Sequence, residues 1–414
     1  MTVCRKKEEK ENKMKKKVLA AFLATAMVFS LTACGSGSEA PDGDDAEQSS
    51  DDTGEESGDD AEQQTDDTGE ETGDDAGDKS GEKIAMVTDS GDITDESFNQ
   101  ITWETVCAYG DENGVKYEYY KPAEDNDEER INAIDLAITE GATVIVMPGY
   151  LFGPAIAEEQ ETYPDVKFIG VDLTEGDIVN LAGEAKEIAA NSYICSFQEE
   201  QAGYIAGYGA VKDGYTKLGF LGGIAVPAVI RYGFGYIQGI NAAAEEMGVD
   251  VSVKYFYGGQ FYGDETITAR MEGWYSDGTE IVFACGGGIY TSAVEAANNH
   301  NGKVIGVDVD QKPIIGDICV TSAMKGLNAA VYDALTAYFD GNWDSLSGKA
   351  EQLGLAQGEY IGLPTDDDSW GFTTFTKDEY ETVLAGIKDG SISISNDTEN
   401  NPEVGSHVSV DYVQ

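Results

Sequence analysis

The chain has 414 residues and a formal charge of −52, and it is too long for one ordinary domain. The charge is uneven: residues 1–33 carry 8 Lys+Arg against 3 Asp+Glu, residues 35–81 carry 1 against 19, and residues 82–414 carry 17 against 56. So acidic a main part repels DNA, RNA and anionic lipid headgroups, which argues against nucleic acid as a partner.

In chain order, Lys15, Lys16 and Lys17 precede an apolar stretch from Val18 to Leu31. These are the n-region and h-region of a secretory signal. The stretch is shorter than the roughly 20 residues of a membrane-spanning helix. It ends in Leu31-Thr32-Ala33-Cys34, which resembles the bacterial lipobox, where the cysteine becomes the lipid-modified first residue after cleavage. Residues 1–33 are read as a lipoprotein signal peptide, with Met14 as an alternative start, and Cys34 as the lipidation site. A plain secretory signal that happens to place a cysteine there is the alternative.

Residues 34–82 read as an acidic tether. Asp51-Asp52-Thr53-Gly54-Glu55-Glu56 recurs fifteen residues later from Asp66. The segment has no aromatic or branched aliphatic residue, so it cannot offset the entropy of ordering and is expected to be disordered. As a flexible coil it would reach roughly 40 Å. A tether that long and acidic suits a thick cell wall and a Gram-positive source.

From Lys83 onward, strands and helices alternate. Strands are predicted at 84–88, 116–120, 143–147 and 166–171. On the first helix Trp103, Val106 and Cys107 share a face, and Ile131, Ile134, Asp135 and Ile138 do so on the second. A second round starts near Phe197 with a helix of small residues, Gly203, Ala206, Gly207 and Ala210, which allow close packing. Further strands are predicted at 217–221, 251–257, 280–284 and 303–307. A helix follows at 327–339 and a last one near 377–387. The order implies an α/β fold of two doubly wound parallel-sheet lobes joined by a hinge. The expected boundaries are 83–196 plus about 320–350 for lobe 1, and 197–319 plus about 351–414 for lobe 2.

Each lobe places similar residues at its strand ends, the edge where open α/β sheets bind ligands. Asp89 ends the first strand. Asp172 ends Phe168-Ile169-Gly170-Val171-Asp172, and Asp308 ends Val304-Ile305-Gly306-Val307-Asp308. Gly222 and Gly223 end one strand, and Gly286 to Gly288 follow another; such turns let backbone approach a ligand. Carboxylates suit vicinal hydroxyls and repel phosphate. Phe98 and Tyr232 can clamp a flat ring, and Asn99 can read the edge of a base. The blander alternatives are caps and turns for the acids, with Asp92 and Asp95 staying turn and helix cap, and core for the rings. Lys325 either neutralises a buried site carboxylate or is a surface charge.

Enzyme motifs are missing: there is no GxxxxGK[ST], HExxH or GxSxG. His300 and His407 have no motif context, and His407 lies in a polar tail. No Cys/His cluster has metal-ligand spacing. No catalytic residue, metal or cofactor is therefore expected. Cys107, Cys195, Cys285 and Cys319 sit beside apolar residues and read as buried small hydrophobes; spacing does not define a pairing.

Several segments resemble the basic membrane protein family of substrate-binding lipoproteins, whose best-understood members are purine-nucleoside receptors of ABC transporters. They are Asp95 to Gln100, Leu218 to Gly223, Ile230 to Gly239, Cys285 to Gly288, Gly306 to Gln311 and Thr321 to Lys325. They come in the family's order and span about 83–330. The resemblance implies a type I periplasmic-binding fold that closes by hinge motion, acting as a monomer. It implies a purine stacked between rings of the two lobes, and a ribose held by carboxylates and a lysine. By matching positions, Asp89, Phe98, Asn99 and Asp172 come from lobe 1, Tyr232, Gly286 and Asp308 from lobe 2, and Lys325 from the returning segment. It also implies an extracellular, lipid-anchored protein that passes a nucleoside to an ABC permease and its ATPase, and catalyses nothing. Departures are Tyr232 where the family has Phe, Glu96 where it often has Lys, an altered 227–231 region, and a tyrosine-rich stretch at 255–262. A free-sugar receptor, a nucleoside-sensing signalling receptor and a nucleoside hydrolase are the rival readings.

Overall fold

A computed structural model describes residues 81–89, 91–95 and 98–413. The expected leader, Cys34, nearly all of the tether and Glu96 lie outside the described residues. The first lobe runs β1 (Lys83–Val87), α1 (Phe98–Asn113), β2 (Lys116–Tyr120), α2 (Asp127–Thr139), β3 (Val144–Pro148), α3 (Gly153–Thr162), β4 (Lys167–Val171) and β5 (Ser192–Phe197). The second runs α4 (Glu199–Lys212), β6 (Lys217–Gly222), α5 (Pro227–Met247), β7 (Val251–Tyr257), α6 (Glu265–Ser276), β8 (Ile281–Cys285), α7 (Tyr290–His300), β9 (Lys303–Asp308), the short α8 (Lys312–Ile315) and β10 (Cys319–Lys325). The chain then returns through α9 (Leu327–Phe339), β11 (Lys349–Leu353), β12 (Ile361–Gly362), α10 (Lys377–Lys388) and β13 (Val408–Tyr412).

The first sheet has the order β11-β5-β4-β3-β1-β2 and the second β12-β10-β9-β8-β6-β7-β13. All pairs are parallel except β10 with the two-residue β12. Central strands such as Val144–Pro148 and Ile281–Cys285 are buried along their whole length, as continuous apolar runs in parallel sheets require. Parallel order sends the C-terminal end of every strand but β12 to one edge of its sheet, and this edge carries the site.

The structure departs from the expected organisation in three places. Ser192–Phe197 is a fifth strand of the first sheet that the sequence did not predict, and it pairs with β4, with α4 following from Glu199. Cys319–Lys325 does not leave for lobe 1 near residue 320; it pairs in parallel with β9 in the second sheet. The crossing comes one residue later, at Gly326, after which α9 packs its Tyr332 and Phe339 on Tyr109 of α1. The polar tail is not all loop. Val408–Tyr412 adds an edge strand beside β7, and His407, just before it, meets Asp250 at 2.8 Å. The chain thus passes between sheets at Gln198, at Gly326 and in the stretch 354–360.

Helices α4 and α5 pack backbone against backbone. A Cβ on Gly203 or Gly207 would strike the carbonyls of Tyr232 or Tyr236, and one on Gly235 or Gly239 those of Glu200 or Tyr204. The expected close packing therefore has four glycines behind it, two per helix. It brings the start of α4, Glu199 and Glu200, against Arg231 and Tyr232. The tyrosine-rich stretch starts as core. Tyr255 stacks on Phe220 with centroids 4.4 Å apart, and its hydroxyl meets that of Tyr257 at 2.8 Å. Cys195, Cys285 and Cys319 are free and buried.

Candidate functional site

The C-terminal edges of the two sheets line one cavity of about 780 Å³, its open mouth included. From the first lobe Asp89, Phe98, Asn99 and Asp172 line it, and from the second Tyr232, Gly286, Asp308 and Lys325. All eight sequence-predicted positions thus meet in one place.

The first-lobe wall is a set of linked amides and acids. Asp95 caps α1, accepting the backbone N–H of Asn99 at 2.9 Å and of Gln100 at 3.1 Å. The Asn99 carboxamide bridges two acids, donating through Nδ2 to Asp95 Oδ2 (3.0 Å) and Asp89 Oδ1 (2.9 Å). Asp89 Oδ1 also accepts the N–H of Gly91 at 2.7 Å. Its other oxygen faces Gly149, where a Cβ would lie 3.1 Å away. Burial pushes the Asp89 carboxyl up from its usual range, and the N–H of Gly91 and the amide of Asn99 partly oppose the rise. Asn99 thus orients Asp89, and its NH₂ group is already engaged. Asp92 pairs with Lys121 at 2.9 Å on the surface.

A charged cluster bridges the two lobes. Asp172 and Asp308 both adopt left-handed backbone, with φ of 67° and 65°, uncommon for residues other than glycine and tolerated by Asp and Asn. The repeated strand-end motif therefore repeats in conformation as well as in sequence. Lys325 Nζ donates to Asp172 Oδ2 at 2.8 Å and lies 3.5 Å from Glu199 Oε1 and 3.7 Å from Asp308 Oδ1. Lys325 is a buried neutralising cation, not a surface charge. Burial works against its ammonium, but Asp172, Asp308 and Glu199 hold its pKa above the usual lysine value. Burial likewise acts to raise Asp172, and the Lys325 ammonium outweighs it and holds the carboxyl below its usual range. Beyond Lys325, Arg231 Nε donates to Glu199 Oε2 at 2.6 Å and lies 3.9 Å from Glu200. Burial raises Glu199 against the pull of Arg231 and pushes Glu200 up to about 7.

Sequence reasoning missed this second layer. Glu199 and Glu200 look like ordinary acids in a helix's first turn, and nothing in their spacing sets them beside Lys325. Two rings were also missed: Tyr150 after β3, and Phe261 after β7, both lining the cavity. Phe98 is half-buried and stacks on no aromatic ring among the described residues; Lys325 Nζ lies 5.1 Å from its centroid. Tyr232 is more committed. It is buried, meets Phe283 edge-on at 5.9 Å, and donates its hydroxyl to Asp308 at 3.3 Å. That bond is open to a tyrosine and closed to the phenylalanine usual in the resembled family.

Two parallel-sheet lobes, linked by three chain crossings and lining one polar and aromatic cavity, define a two-lobed ligand-binding protein. Residues 82–398 match the family described as "ABC transporter substrate-binding protein PnrA-like"; the chain belongs to that family and is an ABC transporter substrate-binding protein. It is 28% identical over 341 residues to the ABC transporter nucleoside-binding protein BmpA of Lactococcus lactis, covering 76% of this chain and 90% of that one. It is 27% identical to basic membrane protein B of Borreliella burgdorferi, over 69% of this chain and 82% of that one. Among solved structures, an ABC transporter solute-binding protein from Aeropyrum pernix superposes with a TM-score of 0.65 at 20% identity, over 76% of this chain and 94% of that one. The fold is thus that of periplasmic-type binding proteins. No helix among the described residues is long and apolar enough to cross a membrane.

Proposed function

We propose that the chain captures a purine nucleoside in the cleft and hands it to an ABC permease, whose ATPase supplies the energy. One observation carries the ligand class: a half-buried ring with no aromatic partner among the described residues, Phe98, shares a cavity with four carboxylates and one lysine. The base lies on Phe98, with Tyr232 on the second-lobe side. Asp89, oriented by Asn99, accepts from donors on the base edge. The ribose hydroxyls donate to Asp172 and Asp308, and Lys325 donates to a ribose oxygen. Gly286 lines the cleft beside the sugar. The nucleoside-binding name of the Lactococcus lactis relative supports this ligand. The acids disfavour a 5′-phosphate, so nucleotides are poor ligands.

The protein acts as a monomer on the outer face of the cell membrane, anchored by lipid at Cys34. The lipobox-like ending of the leader supports this, as does the naming of a 26%-identical relative from Pyrococcus abyssi as a lipoprotein. A Gram-positive surface is inferred from the tether alone. The test is calorimetric titration of the chain lacking its leader with inosine, guanosine, adenosine, cytidine, ribose and a nucleotide. The expected result is tight binding of a purine nucleoside and little of ribose. Phe98→Ala should weaken the nucleoside about tenfold or more and leave ribose nearly unchanged. Tight binding of a free sugar with no nucleoside bound would sink this reading.

A further inference from the structure

The second half of the tyrosine-rich stretch is not core. After β7 the chain crosses the ends of β6 and β8 as a pinned loop. Gly258 and Gly259 donate their N–H groups to the carbonyls of Gly222 and Gly223 at 2.8 and 3.1 Å, and Gly288 donates to the carbonyl of Phe261 at 2.8 Å. Asp264, at the loop's far end, caps α6 through the N–H of Ile267 at 2.8 Å. Phe261 is therefore fixed on both sides by backbone hydrogen bonds.

Its ring occupies space that the glycine turns leave open. A Cβ on Gly223 would stand 2.5 Å from Phe261 Cδ1, and one on Gly286 would stand 3.0 Å from it. These two glycines seat an aromatic ring against the cleft wall. The ring is half-buried, lines the cavity, and stacks on no other aromatic among the described residues. A phenylalanine held this firmly, yet left without an aromatic neighbour, suits contact with a ligand better than a core role.

We infer that Phe261 is a ligand contact and a specificity-determining residue, seated on Gly223 and Gly286 as part of the second-lobe wall. The inference rests on the cleft being the binding site proposed above, and it adds an apolar wall for the ligand beside Tyr232. Substituting Gly223 should then act chiefly through the ring, because a methyl there would stand 2.5 Å from Phe261 and no nearer than 3.2 Å to any other group, the Gln260 carbonyl.

The experiment titrates inosine, guanosine, adenosine and cytidine into the leader-free chain and into Phe261→Ala, Phe261→Leu, Gly223→Ala and the Phe261→Ala/Gly223→Ala double variant. Melting temperatures without ligand are measured alongside. Phe261→Ala is expected to weaken the preferred nucleoside about tenfold or more, with Phe261→Leu intermediate. Gly223→Ala should weaken it comparably, and the double variant no more than Phe261→Ala alone, since the two changes share one ring. Wild-type affinity in Phe261→Ala overturns the inference, as does additive loss in the double variant. A wild-type chain that binds only ribose or another free sugar removes the nucleoside reading instead. The same variants titrated with that sugar then decide Phe261 separately.

Discussion

At the residue scale, two acids invite direct tests. Asp308 holds a left-handed backbone that Asn adopts equally well, so Asp308→Asn removes a charge and leaves the turn unstrained. Nucleoside affinity should fall by about 10- to 100-fold with little change in melting temperature, a contrast that calorimetry and thermal melting read together. Glu200 is the second case. Its carboxyl is raised from 4.5 to about 7 by burial, so the folded state binds a proton more tightly than the unfolded chain. Such a group favours folding fully below its unfolded pKa, and that contribution is lost as pH rises from about 4.5 through about 7. Glu200→Gln, which needs no proton, should be more stable than wild type at pH 8, on the order of 2–3 kcal/mol. The gap should close as pH falls towards 4. Urea titrations at several pH values check this, and an equal gap at every pH would contradict it.

At the element scale, α4 against α5 is the tightest joint. A methyl on Gly207 or Gly239 would meet a carbonyl on the facing helix. Gly207→Ala should therefore destabilise the fold by about 1–3 kcal/mol through overpacking, despite Ala's better helix propensity. Urea unfolding measures the change, and a gain in stability would mean that the helices part freely. The elements show what sequence can reveal. Strands such as Lys116–Tyr120 and Val251–Tyr257, and the helix Leu327–Phe339, are bounded by turn residues and show clear apolar runs or periodicity. Ser192–Phe197 escaped because it runs directly into a helix of small apolar residues, with only Gln198 between them. Val408–Tyr412 escaped because an edge strand needs little apolar character. Its partner β7 supplies the pairing, and that partner lies about 150 residues away.

At the scale of the whole molecule, Lys325 and Asp172 join the two lobes, one at the end of β10 and the other just past β4. Lys325→Met would leave Asp172, Glu199 and Asp308 buried beside one another without their shared cation. The expected cost is about 3–5 kcal/mol, read by chemical unfolding, together with a loss of nucleoside binding. The lining of the candidate site was legible because each acid closes a recognisable strand motif, and because the matched segments fall in order along the chain. Glu199, Glu200, Arg231 and Phe261 were not legible. Their roles depend on how α4 docks on α5 and where one loop crosses two glycine turns, and both are tertiary facts that local pattern does not carry.

The three crossings have a mechanical consequence. Glu199 directly follows Gln198, and Lys325 directly precedes Gly326. If the lobes rotate about these points, as hinged receptors do, the two charges sit at the fulcrum and travel through short arcs. Phe98 belongs to the first lobe and Phe261 to the second, so the two rings part as the lobes open. The fulcrum charges would hold a sugar while the jaws still gape, and the rings would grip only at the end of the swing. Arrival would then depend on the charges and residence on the rings. Phe98→Ala should speed nucleoside dissociation and leave the association rate close to wild type, as stopped-flow tyrosine fluorescence would register. A slowed association with unchanged dissociation would mean that the rings make first contact instead.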